Sequence, residues 1–266
     1  MQSALEDIQF LANSENRIRI LSALTDGSTT RRRLQEETGV PRSSAARVLE
    51  EAETRGWVDS NGSQYWITRR GEAMVAEIHR TIESTRGVQH LGDAIRWLPD
   101  PVRTLEFRHF RDAHVTTATE DNPTAAFDRG LELIEAADRY RGLTQNSLPQ
   151  YMKAITDLVE RGSLDFEGVV QADFVDVLRT DPERAAVWQP IADRMWVYDG
   201  HVPINMHVLD GTVAIWLCAE NREGEDVLVK GLLETDDPAV VSWAESFYAE
   251  YLEDATRLDP QALSTD

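Results

Sequence analysis

Arg42, Ser43, Ser44 and Arg47 follow directly on a Gly39-Val40-Pro41 break. On a helix, positions 43 and 47 fall one turn apart on a single face, with 42 and 44 beside them. A guanidinium fork pairs in bidentate fashion with guanine O6 and N7, and a serine hydroxyl bonds base edges or phosphate. The first turn of a helix itself favours phosphate. This quartet therefore has the chemistry to read the major groove of double-stranded DNA. Arg31, Arg32, Arg33, Arg69 and Arg70 flank it and supply charge for phosphates. Asn61, Ser63 and Gln64 offer short hydrogen-bonding groups to the minor groove or the sugar-phosphate. Glu50, Glu51 and Glu53 repel the DNA backbone, which limits the groove-facing part to the first two helical turns.

A second set of side chains lies near the C-terminal end. Trp196, Tyr198, His201, His207, Trp216 and Cys218 fall in one short stretch. On a strand, Trp216 and Cys218 share one face, with Val213 and Ile215 on the other. The first five of the set are candidates to line an apolar pocket with a few polar handles for a small effector. Phosphodiester chemistry by a nucleophilic histidine needs a phosphate-binding cation beside it, which phospholipase-D-like enzymes carry, with an aspartate further along, as a lysine two residues on. Leu209 stands in that place after His207, and Pro203 after His201. The nucleophile elbow, phosphate-binding loop, dinucleotide glycine fingerprint and His-Glu-x-x-His pattern are absent. The single cysteine excludes an intrachain disulfide and a multi-cysteine zinc site. No enzyme activity, metal or cofactor is expected.

These residues need elements to position them. Leu5, Ile8, Leu11 and Ala12 have helical spacing, and a second helix starts after Ser14 and stops at Asp26-Gly27. Thr30–Arg55 reads as two helices meeting at Gly39, which relieves any Cβ clash at positive φ. Leu34, Val40, Ala45 and Val48 are small or apolar where the two helices cross. Trp57–Asp59 and Gln64–Ile67 form a hairpin around Asn61-Gly62, and Thr68 caps a further helix. Helix, helix, turn, helix, hairpin, helix is the order of a winged helix-turn-helix. Met74, Ile78 and Ile82 form a seam that either joins two copies or packs inward, and Arg86-Gly87 is a candidate break.

Pro99-Asp100-Pro101 marks a boundary region. Beyond it, strands are expected at 113–118, 164–170, 195–198, 205–209, 212–218 and 227–233. Helices are expected at 124–139, 148–161, 172–178, 183–194 and 238–258. The organisation reads as a winged helix-turn-helix domain over 1–90, a helical connector and linker over 91–104, and an α/β effector or dimerisation domain over 105–260.

The formal charge is −20 over 266 residues. Residues 1–90 hold 12 arginines against 13 acidic groups, so the acidity sits in the remainder. Only Lys153 and Lys230 are lysines. Heavy acidity with lysine almost absent resembles proteins of salt-accumulating haloarchaea. At ~1 M salt the Debye length is ~3 Å, so an anionic surface is tolerable. Phosphate-driven binding weakens steeply there, which argues for base contacts and a homodimer on a two-part site. No apolar run reaches the ~20 residues of a membrane span, and a cytoplasmic location is the default.

The N-terminal unit resembles MarR/ArsR-type winged helices. The runs RGLELIEAADRYRGL, DFEGVV and DVLVKGLLETDDPAVVSWAESFYAEYLEDATRL resemble archaeal winged-helix regulators with the methanogenesis-regulator middle domain. That domain is distantly similar to the phospholipase-D-like fold. The resemblance spans nearly the whole chain, most strongly from Leu105 to Leu258. It implies a transcriptional regulator with a C-terminal sensing or dimerising domain. Two other functions remain open: a phosphodiesterase-like enzyme on the second domain, and an adaptor whose winged helix binds a protein.

Overall fold

The computed structural model describes residues 1–220 and 227–263. The chain divides into two compact units, Met1–Thr85 and Arg86–Asp266.

The first unit opens with α1 (Gln2–Ala12), α2 (Glu15–Ala23), α3 (Arg31–Thr38) and α4 (Arg42–Thr54). Thr30 caps α3 by accepting from the Arg33 N–H at 3.3 Å. Gly39 ends α3 in the left-handed region, at φ +70°, where a side chain would be strained. The turn lets α4 leave at once, and Leu34, Val40, Ala45, Val48 and Leu49 close the crossing as buried core. Strands β1 (Val58–Ser60) and β2 (Tyr65–Ile67) pair antiparallel, with Ser60 opposite Tyr65.

The apolar stripes of this unit take definite places. Leu5 and Ile8 of α1 stay about half exposed, while Phe10 and Leu11 turn inward. The Met74–Ile78–Ile82 seam packs on its own unit's core, with Ile78 buried. Helix α5 runs unbroken over Arg69–Leu91, so Arg86-Gly87 is no break. Gly87 sits in the helix because a Cβ there would lie 1.8 Å from the Phe107 carbonyl oxygen. Close backbone approach, not chain reversal, requires the glycine.

The second unit is a sheet with helices on both faces. Its elements are β3 (His114–Thr117), α6 (Ala125–Ala136), β4 (Arg139–Thr144), α7 (Pro149–Glu160), β5 (Asp165–Gln171), α8 (Ala172–Thr180), α9 (Pro182–Trp188), β6 (Met195–Tyr198), β7 (Met206–Leu209), β8 (Thr212–Glu220), β9 (Val227–Thr235), α10 (Pro238–Asp254) and β10 (Thr256–Arg257). The sheet order is β10-β6-β5-β4-β7-β8-β9-β3. β4, β5 and β6 run parallel and the other pairs antiparallel. Asp210-Gly211 joins β7 to β8 with φ of 48° and 88°, the positive values of a primed hairpin turn.

One face of the sheet carries Tyr140, Phe166, Ala214, Trp216 and Leu232 against α6–α9. The other carries Leu143, Val169, Val208, Val213, Ile215 and Leu233 against α10 and the turns over 92–110. Leu91, Ala94, Leu98 and Val102 belong to that second core, so the stretch 91–104, expected as a helical connector and linker, is helical but packed into the second unit. β4 and β10 carry no clear strand signal: Arg139, Arg141 and Gly142 interrupt β4, and β10 is two residues long. The segment 183–194 divides into α9 and a 3-10 turn over Gln189–Arg194 that contains Pro190, whose ring cannot continue an α-helix.

Candidate functional site

The outward face of α4 follows from its buried one. Ala45, Val48, Leu49 and Ala52 turn inward, which leaves Arg42, Ser43 and Arg47 exposed and Ser44 half-buried. Arg31, Arg32, Arg33, Arg69 and Arg70 are exposed as well. They differ in what already holds them. Arg32 lies 3.5 Å from Glu36, and Arg31 sits over the Tyr65 ring at 5.0 Å. Among the described residues, Arg33, Arg42, Arg47, Arg69 and Arg70 have no ion pair. Arg17 and Arg55 serve packing instead, stacked on Phe10 at 4.3 and 4.1 Å, with Arg55 also 3.4 Å from Asp7.

In the hairpin loop, Asn61, Ser63 and Gln64 are exposed. The Asn61 side-chain oxygen accepts from the Ser63 N–H, the Ser63 hydroxyl and the Gln64 N–H at 3.0–3.2 Å. That oxygen is committed to the turn, so only the amide N–H₂ of Asn61 is left for an outside partner. Trp66, which the sequence places only as part of the return strand, is 36% exposed.

The second site is a cavity of about 1270 Å³ in the second unit. Of the five pocket candidates, His207 and Trp216 line it. Trp196 and Tyr198 do not. Strand alternation sends them to the opposite face of β6, where Tyr198 meets Tyr251 at 4.8 Å, while Met195 and Val197 face the α6–α9 side. His201 is exposed and is not brought to His207. The lining residues absent from the sequence-based set include Phe127, Tyr151, Phe174, Arg184 and Lys230. They come from five separate elements or turns, so no local spacing announces them.

His207 is buried, with Tyr140 at Nδ1 and the Trp216 indole N–H at Nε2, 2.7 Å away. Burial lowers its pKa to about 4, because an imidazolium has no water to solvate it. Burial also pushes the Cys218 thiol up to about 11, away from the reactive thiolate. The Tyr151 hydroxyl donates to the Phe127 carbonyl at 2.6 Å, and burial holds it un-ionised. Among the described residues, no group of three His, Cys, Asp or Glu side chains could hold a metal ion, and no helix is long and apolar enough to cross a membrane.

The first unit carries exposed arginines on its fourth helix, α4, and the second is a large mixed-sheet domain; the family matches give this build as that of a transcription regulator. Residues 5–89 match the family described as HVO_A0261 N-terminal domain, and residues 123–254 match that of the methanogenesis regulatory protein FilR1, middle domain. The chain thus carries a domain similar to the HVO_A0261 N-terminal domain and one similar to the FilR1 middle domain, which together take in most of its length. No curated protein matches the sequence. Among solved structures, TrmBL2, described as an archaeal chromatin protein, has 15% identity and a TM-score of 0.41, covering 92% of this chain and 94% of its own. Nuc from Salmonella typhimurium, a phospholipase D family member, has 16% identity and a TM-score of 0.41, covering 54% of this chain and 96% of its own. NucT from Helicobacter pylori has 13% identity and a TM-score of 0.41, covering 55% and 98%.

Proposed function

We propose that the chain is a sequence-specific DNA-binding regulator of the winged helix-turn-helix type that works as a homodimer. The observation that carries this reading is the outward face of α4. Arg42 and Arg47 stand exposed there without an ion pair among the described residues, next to Ser43, in a protein whose other arginines are mostly held by carboxylates or rings. Unpaired guanidinium groups on a helix's first turns suit base edges. The β1–β2 hairpin takes the place of the wing, and Arg33, Arg69 and Arg70 supply phosphate contacts. A near-neutral reader domain in salt-rich cytoplasm gains affinity by doubling its site.

In this reading the cavity of the second unit is the effector site. Leu91, the last residue of α5, is on its wall, and α5 is the helix that begins with Arg69-Arg70. A ligand there touches an element shared with the DNA-binding unit, which is the kind of link an effector needs.

The histidine of the cavity does not favour the phosphodiesterase alternative. Both ring nitrogens of His207 are engaged within the protein, and Leu209 replaces the required lysine. Selection of bound duplexes from a random pool in molar KCl tests the proposal. One enriched motif with two half-sites is expected. If no sequence is enriched, the adaptor reading takes its place.

A further inference from the structure

The chemistry of the cavity narrows what it can hold. Trp216 forms one wall, with Phe127 and Tyr151 against it at 5.4 and 5.9 Å between ring centroids. Phe174 and Trp97 also line the space. Flat apolar ligands suit such walls, since aromatic pairs gain beyond simple area burial.

Among the described residues, three charged ones line the cavity: Asp93, Arg184 and Lys230. Asp93 lies 3.8 Å from Arg96, and Arg184 lies 3.5 Å from Asp181. Lys230 has no ion pair among the described residues. It is one of only two lysines in a chain of net charge −20, and it is half-buried.

The backbone places this lysine. On the β8–β9 ladder, Leu217 pairs with Gly231 and Cys218 with Val229. Lys230 is the extra residue, with no partner opposite. An unbroken strand sends successive side chains to opposite faces. Here Val229 packs on the same α6–α9 core as Leu232, three residues on, which strict alternation would forbid, and Lys230 lines the cavity. A bulge that re-aims one side chain is a common device beside binding sites.

We propose that the cavity takes a ring-bearing carboxylic acid, with the apolar body among the aromatic side chains and the carboxylate on the Lys230 ammonium. Among the described residues one unpaired cation lines the cavity, and it matches a single negative charge. Inorganic phosphate has neither a body for the aromatic wall nor a second free cation to meet it. The inference rests on reading the cavity as the effector site, and it adds the ligand's class and its anchor.

Calorimetric titration of the full chain in molar KCl tests it, with naphthylacetate, its neutral isostere naphthylacetamide, and inorganic phosphate as probes. The acid should bind roughly ten- to a hundredfold more tightly than the amide, the worth of one charge-assisted contact. Lys230→Gln should bring the acid down to the level of the amide while leaving amide binding unchanged, which also shows that the variant is folded. Equal affinity of acid and amide for the wild type overturns the proposal. So does an acid preference that survives Lys230→Gln, a preference for phosphate, or no binding by any probe. DNA affinity measured with and without naphthylacetate is a separate readout. Acid binding keyed to Lys230 without any effect on DNA would sink the sensing role and leave the ligand class standing.

Discussion

Trp216 donates its indole N–H to Nε2 of His207 across 2.7 Å, and this one bond fixes the imidazole tautomer. An indole nitrogen can only donate, so Nε2 is the acceptor and Nδ1 carries the proton toward the Tyr140 oxygen. Protonating Nε2 would set two N–H groups against each other inside a buried site.

Stability should therefore fall with acid. Burial lowers the folded pKa of His207 to about 4, against 6.5 as the ordinary value. A base whose folded pKa is lowered binds fewer protons in the native state than in the unfolded one. Its contribution is complete above pH ~6.5 and is lost as the pH drops toward ~4, on the order of 3 kcal/mol in all. Urea unfolding across that window measures it. His207→Phe should flatten this part of the pH dependence, and an unchanged slope in that variant would rule His207 out as its source.

Arg129 and Glu234 should prove unequal partners. They form a bidentate pair at 2.7 and 2.8 Å, with Glu234 7% and Arg129 38% exposed at the side chain. The hydrogen bonds that the guanidinium donates to Glu234, then to Glu132, hold it above its ordinary pKa. Arg129→Met strands a buried carboxylate and should cost about 3 kcal/mol. Glu234→Met leaves an arginine that can reach water and Glu132, and should cost clearly less. Chemical denaturation of the two variants ranks them, and the reverse order would refute the argument.

Two helix glycines should resist alanine. At Gly71 a Cβ would lie 2.1 Å from the Trp57 carbonyl oxygen, and at Gly87 1.8 Å from that of Phe107. Alanine is the better helix former by ~1 kcal/mol, yet forcing backbone apart costs ~1–3 kcal/mol. Both variants should melt below the wild type. Glycine-to-alanine changes that raise the melting temperature would show that these approaches relax freely.

The arginines of the first unit should separate by role. Arg47→Ala should cost ~1–3 kcal/mol of discrimination at one base pair, whereas Arg33→Ala should weaken all duplexes alike and reduce the salt slope by about one. Competition binding to matched and mismatched duplexes at several salt concentrations distinguishes them. If Arg47→Ala treats both duplexes as the wild type does, α4 is not the reading helix.

Local patterns carried much of this fold. Gly39 at positive φ, the apolar set Leu34-Val40-Ala45-Val48 and the Asp210-Gly211 turn are each written within a few neighbouring residues, and each takes the form its spacing implies. β4 carries no strand signal of its own, yet as a central strand it pairs on both edges, and that pairing outweighs the weak propensity of Arg139, Arg141 and Gly142. Gly87 reads as a helix break because its reason lies at Phe107, twenty residues away.

The two candidate sites differ in the same way. The arginine-bearing face of α4 belongs to one helix, so helical period alone places Arg42, Ser43 and Arg47 outward. The cavity is a tertiary object. Its rings come from α6, α7, α8, β8 and the turn before Leu98, and its unpaired cation enters through a bulge that only the β8–β9 register reveals. By itself the sequence determined which residues alternate, turn and cap, because those properties depend on neighbours in the chain. Which strand lies beside which, which face of β6 meets the helices, and which lysine faces the aromatic wall were decided only by long-range packing, where the energies come from residues that chain order keeps far apart.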